Sequence, residues 1–499
     1  MRAAAATAWL LGLALGTAAC SDSAGSTAVG GLGSASTVSG APLTSEPPPS
    51  STPGAAAGAS AGDWPTYHRS SDRAGSAPAT PALDAATAHL DWTSAALDGL
   101  IRAEPLVDGG RVMVATEGGS LYGLDATTGK QLWRVHLSDA VTAALPCGGV
   151  TPMGVTGTPA VDPATHTVYA VTEKQDNEHL LVAVDDRSGE FLWQRVIDPP
   201  GSEPRYQEQD AALAVANGRV YVALGGRPGD CGAYHGWVIA TGLDGGGPLL
   251  TYMVPSGRQA GISAASGIAV AADGSLLVAT GNGASTGVYD HGNAVIRLDP
   301  GLQEQSYFAP TTWLELSRAG GDPGWAGPLL LPGGMAAVTG RDGRLLVLHA
   351  DHLGGIGGQV SATALGGPAA GGMAASGRTL YVPCSDGLRA VDVDAAGATA
   401  PRWRGPVLGP PIVAAGAVWG VAPGAPPGPS PSPRPTSTPR SPTPAVEPLG
   451  ARLVALDPAG GAELLAISVA GAVQLTTPAA APGHIVVGAG DRVVAVAVS

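Results

Sequence analysis

The 499-residue chain has only two lysines, Lys130 and Lys174, two phenylalanines and four cysteines. Charged residues make up 13% of it and Phe, Trp and Tyr together 4%. Acids outnumber Lys and Arg by 40 to 26, a net charge of −14. With cations this few and scattered, there is no basic stripe to displace counterions from phosphates, which excludes a nucleic-acid surface. Beyond the first twenty residues no apolar run approaches the ~20 needed to span a bilayer as a helix. P-loop and CxxC motifs are also missing. Glycine (75) and proline (44) are abundant beside 44% hydrophobic residues. That combination describes many short apolar segments separated by turns and excludes a long-helix protein.

Met1-Arg2 precedes an apolar stretch from Ala3 to Ala19 that ends in LGTAAC. It resembles a bacterial lipoprotein signal, with Cys20 lipidated as the mature N-terminus; an ordinary secretory signal cleaved nearby is the alternative. Residues 1–19 are then the signal and 20–62 a Ser/Ala/Gly/Pro spacer too poor in large apolar groups to offset its ordering entropy. The folded part is 63–499, interrupted at about 422–447 by a second Pro-rich segment, PPGPSPSPRPTSTP at its centre. Localisation at the outer face of the cytoplasmic membrane, through the lipid, follows.

A repeat decides the fold. GSLYGLDATTGKQLW puts Asp125, Gly129 and Trp133 in a frame that returns in LVAVDDRSGEFLW as Asp185, Gly189 and Trp193. Weaker copies place Asp244, Asp299, His349, Asp392, Asp457 and Ala497 in the aspartate slot. Two further short strands precede each copy, so each unit carries four, the composition of a propeller blade. The eighth unit has three strands and no fourth. Ala88 to Thr93 supplies the missing strand from the other end of the chain, with Trp92 in the tryptophan slot. The prediction is all-β: an eight-bladed β-propeller of four-stranded blades, the last closed by an N-terminal strand. Trp92, Trp133, Trp193 and Trp403 are expected to be blade-packing residues.

The AxDxxTGxxxW pattern resembles the repeat of the PQQ-binding-like β-propeller superfamily, which includes quinoprotein dehydrogenases and the envelope-assembly lipoprotein of the BamB type. WPTYHRSSDRAG at 64–75, PCGGVTPMGVTGTPAVD at 146–162 and GDCGAYHGWVIA at 229–240 resemble a bacterial, exported branch of it. The Arg-over-Lys bias, with abundant Ala, Gly and Pro, points to a high-GC bacterium of actinomycete type. In a quinoprotein dehydrogenase the resemblance implies PQQ in the channel, calcium, an aspartate base and a disulfide between adjacent cysteines. Only Asn282, in ATGNG, matches a calcium-ligand turn, and there is no Cys-Cys pair. One neutral oxygen cannot hold an ion that takes 6–8 oxygen ligands. The expectation is therefore a non-catalytic binding or scaffold protein with no catalytic residues, no metal and no cofactor, neither PQQ nor calcium. A PQQ-dependent dehydrogenase and a BamB-type assembly protein are the alternatives.

An unknown protein or small molecule would bind at the rim or channel, to a monomer, with Trp325, Asp322 and Asn282 as loop residues available to it. His349 and His352 flank Asp351 in a turn and read as an exposed polar cluster. With Cys20 assigned to lipid, the Gly-flanked Cys147 and Cys231 are expected to bridge in an oxidising compartment, and Cys384 to be a buried free thiol.

Overall fold

The computed structural model describes residues 62–77, 82–285, 287–319, 326–340, 342–369, 371–424, 450–473 and 476–499. Eight sheets, six of four strands and two of five, antiparallel except where Gly355–Ile356 joins Glu304–Ala309 in parallel, form an eight-bladed β-propeller. Blade 1 shows the common plan: Leu106–Asp108 innermost, then Arg111–Ala115, Ser120–Asp125 and Gln131–His136 outermost. Inner strands are buried on both faces, whereas the outer strand alternates exposed and buried residues. The last blade joins Ala479–Ala481, His484–Ala489 and Arg492–Ala497 to the N-terminal strand His89–Thr93. Leu90 pairs with Val496 and Thr93 with Val494, so no strand edge is left at the seam. Among described residues no helix is long and apolar enough to cross a membrane.

The repeated turn explains why the blades form. Asp125 Oδ1 accepts the Thr127 and Thr128 N–H groups and the Thr128 hydroxyl at 3.1, 2.8 and 2.8 Å. The turn closes through Gly129 at φ +68°, a conformation that glycine adopts without steric cost. Asp185 makes the same contacts with Arg187 and Ser188. In the sixth blade the capping carboxylate is Asp394 rather than Asp392, because the preceding strand runs on to Val393.

Each repeat tryptophan leans on the next blade's turn. Trp92, Trp133, Trp193 and Trp403 donate their indole N–H to the carbonyls of Ala126, Asp186, Leu243 and Pro458, at 3.0–3.2 Å. Their rings lie against Gly129, Gly189, Gly245 and Gly461, where any Cβ would collide. They latch blade 8 to 1, 1 to 2, 2 to 3 and 6 to 7.

Candidate functional site

The channel at the centre of the ring is filled by the chain's own residues 64–77. Trp64 pairs with Val107 of blade 1, and the carbonyls of Pro65, Ser71, Asp72, Ala74 and Gly75 accept Val161, Val270, Leu330, Ala375 and Val413 N–H groups. Arg73 donates to Leu213 O and Ile268 O at 2.9 Å each, adding blade 3. Seven inner strands are thus bonded to one segment. Glu104 accepts Trp64 Nε1 at 2.6 Å and His68 N–H at 2.9 Å. Burial lowers the Arg73 pKa to about 10 and His68 to about 3, and raises Glu104 well above the carboxylate range. His68 is therefore a neutral imidazole stacked on Tyr67.

On one face of the ring, where inner strands begin and second strands end, acidic side chains from three blades gather. Glu117 follows Arg111–Ala115, Glu173 ends Thr167–Glu173, and Glu208 and Asp210 precede Ala214–Ala216. Glu117 is fully buried yet accepts Gly154 N–H at 2.9 Å and the Thr156 hydroxyl at 3.0 Å, with Arg102 Nε at 3.3 Å. Burial still pushes it up to about 7. Glu173 is raised by burial, despite His179 and an ion pair with the buried Arg227. Glu208 is driven far up, first by burial and then by the charge of Asp210 beside it. Glu208 Oε2 and Gln209 Oε1 are buried without hydrogen bonds. Carboxyl groups whose affinities for a proton are set this far apart are what general acid–base chemistry requires.

The residues expected from sequence divide. Asn282, buried in blade 4 just past Leu276–Ala279, lies on this face, its backbone carbonyl accepting Ala260 N–H at 2.7 Å. Beside it Gln259 Nε2 donates to Asp230 Oδ2 at 2.9 Å. Cys147 and Cys231 are bridged, Cα atoms 5.6 Å apart, tying the connection between blades 1 and 2 to a loop of blade 3 on the same face. Cys384 is free and buried, its thiol pushed up to about 11 by burial. The four repeat tryptophans sit between blades. His349, Asp351 and His352 are on the opposite face, the last two exposed. Cys20, Trp325, Asp322, the signal, nearly all of the spacer and most of the Pro-rich insertion lie outside the described residues. Missed altogether were Glu104, Glu117, Glu173 and Glu208. Their only sequence mark is an acid at the edge of an apolar run, as in RVMVATE and TVYAVTE.

Residues 74–227 match the family described as outer membrane protein assembly factor BamB. A quinohaemoprotein alcohol dehydrogenase from Pseudomonas putida HK5 superposes with a TM-score of 0.62 at 13% identity, over 88% of this chain and 80% of that one. The alcohol dehydrogenase of the same kind from Comamonas testosteroni gives 0.60 at 16%, over 87% and 80%. A europium-containing methanol dehydrogenase gives 0.62 at 14%, over 86% and 90%. The chain shares the fold of these dehydrogenases. No curated protein matches it in sequence. At these identities the likeness is one of fold, yet it overturns the expectation that this propeller is no enzyme and takes no cofactor. The missing adjacent-cysteine pair had weighed against a quinone, but the folded propeller does carry a disulfide on the face of Asn282 and the buried carboxyls.

Proposed function

We propose that this propeller is an oxidoreductase of the quinoprotein kind, with its site on the face that gathers Glu117, Glu173, Glu208 and Asp210. The observation that carries the proposal is buried Glu208 with Asp210 beside it, in a fold shared with dehydrogenases over most of both chains. The donors fit a hard cation: carboxylates and the unbonded Gln209 amide oxygen are oxygen ligands of the type such ions take. Glu208 and Gln209 would contribute to holding it. When bound, cation and quinone together supply a polarised carbonyl that accepts the electron pair released when an alcohol is oxidised. Asp210, beside Glu208, would accept the substrate's hydroxyl proton. Arg227 pairs with Glu173. The plug at 64–77 closes the channel, so substrate would enter from this face.

The test is calorimetric titration of the protein with PQQ, with and without Ca²⁺ or La³⁺, followed by dye reduction with primary alcohols. Cation-dependent PQQ binding with dye reduction is expected, and Asp210→Asn should cut turnover by about 10²–10⁴-fold while PQQ still binds. Failure of both binding and dye reduction would sink the proposal.

A second reading, a role in envelope assembly, is favoured by the family match over 74–227. Export suits both, and the Cys147–Cys231 bridge supports an oxidising compartment. Attachment through Cys20 would tether a monomeric propeller to the outer face of the membrane. Palmitate labelling that is lost in Cys20→Ala checks it.

A further inference from the structure

The face opposite the carboxyl cluster carries a different constellation between blades 1 and 2. Asp108 ends the inner strand Leu106–Asp108 of blade 1. His166 lies in the turn between Ala160–Asp162 and Thr167–Glu173 of blade 2, and Asp186 follows the turn aspartate Asp185. Their positions are fixed by the backbone: Asp186 N–H donates to His166 O at 3.0 Å, and Asp186 O accepts the Trp133 indole at 3.0 Å. His166 sits at φ +53°, which turns its ring toward the carboxylates.

His166 Nδ1 is 3.8 Å from Asp108 Oδ2 and 3.7 Å from Asp186 Oδ2. These separations are too long for hydrogen bonds. Both His166 Nδ1 and Asp186 Oδ2 are buried with no hydrogen-bond partner, and Asp186 is fully buried. Yet the three atoms converge, all within 4.8 Å of one another. Donors ~2.1 Å from one ion stand roughly 3–4 Å apart, so the spacing is that of ligands to a common centre. Arg111 Nη2 reaches Asp186 Oδ1 at 3.2 Å and Asp108 Oδ2 at 3.8 Å. One guanidinium faces two carboxylates.

We propose that Asp108, His166 and Asp186 bind a divalent transition-metal cation that clips blade 1 to blade 2. A mixed imidazole and carboxylate set selects zinc or manganese over calcium, which takes oxygen ligands alone and more of them. The His166 side chain is one-third exposed, giving the ion a way in. The cluster at His349, Asp351 and His352 is the natural control, because it is mostly exposed and His352 Nδ1 is already bonded to Asp351 at 2.7 Å.

The experiment titrates the whole protein with Zn²⁺ by calorimetry, competes with Ca²⁺, and follows Tm with and without zinc. The proposal expects one site that raises Tm and resists Ca²⁺. His166→Asn keeps a residue tolerant of the left-handed backbone while removing the imidazole; it and Asp108→Asn should weaken binding on the order of tenfold or more. Circular dichroism without metal verifies that each variant is folded. X-ray absorption on the zinc form should show a single imidazole among oxygen ligands. Absence of zinc binding would overturn the proposal, as would full binding in His166→Asn with loss in His352→Ala. None of these readouts involves turnover, so they stand apart from the proposed oxidoreductase activity.

Discussion

Glu117 condenses the tension at the carboxyl face. Its partners Gly154, Thr156 and Arg102 favour the charged form, burial opposes it, and burial wins. A carboxyl whose pKa rises from the ordinary 4.5 to about 7 on folding binds its proton more tightly in the native state. Across that interval the folded chain holds more protons than the unfolded one, so this group's contribution is complete at low pH and is lost as pH rises toward 7. Glu117→Gln removes the titration but keeps an acceptor oxygen. The difference in stability between Glu117→Gln and wild type should therefore move in the variant's favour as pH rises from 4.5 to 7, by up to about 3 kcal/mol. Urea unfolding at several pH values measures it. A flat difference would mean that Glu117 ionises freely in the fold.

At the scale of turns and strands, the glycine beneath each repeat tryptophan has two reasons to be glycine, and they can be separated. Gly110 and Gly129 both have positive φ, +79° and +68°. A Cβ on Gly110 meets nothing within 4 Å, whereas one on Gly129 runs into Trp92. Both alanine variants pay for the backbone conformation; only Gly129→Ala also displaces the indole. It should be the less stable of the two by roughly 1–3 kcal/mol in urea unfolding. Equal losses would mean that the Trp92 contact is slack. This level of the structure was legible because its chemistry is local: Asp125, Thr128, Gly129 and Trp133 fall within nine positions. The carboxyl face was not, since Glu117, Glu173 and Glu208 come from three blades and share no spacing. Of the loop residues expected there, Asn282 alone is among the described residues.

For the molecule as a whole, ring closure by Trp92 was readable from strand counting, but the plug was not. WPTYHRSSDRAG has neither strand periodicity nor a helix pattern; its partners are backbone groups of seven inner strands. Nothing in an apolar run announces that its carbonyls will meet a segment some hundreds of residues away. Removing residues 62–77 should therefore cost far more than removing those before Gly62, because it strips the fully buried Trp64, Tyr67 and Arg73 and leaves Glu104 unpaired. A Tm that is the same for proteins beginning at 62 and at 82 would mean that the ring stands without its centre.

Closure of the last blade also sets an order of events. Ser94 accepts from and donates to Val493, 399 positions away, and Leu90 pairs with Val496. The first folded residues to leave the ribosome thus wait for partners that are made last. Until the last three strands emerge, blade 8 is three-quarters absent and blade 1 presents an unguarded flank. Contacts of such sequence separation fold slowly and favour completion after synthesis. A chain that cannot finish its ring while still being translated remains threadable until the circle shuts.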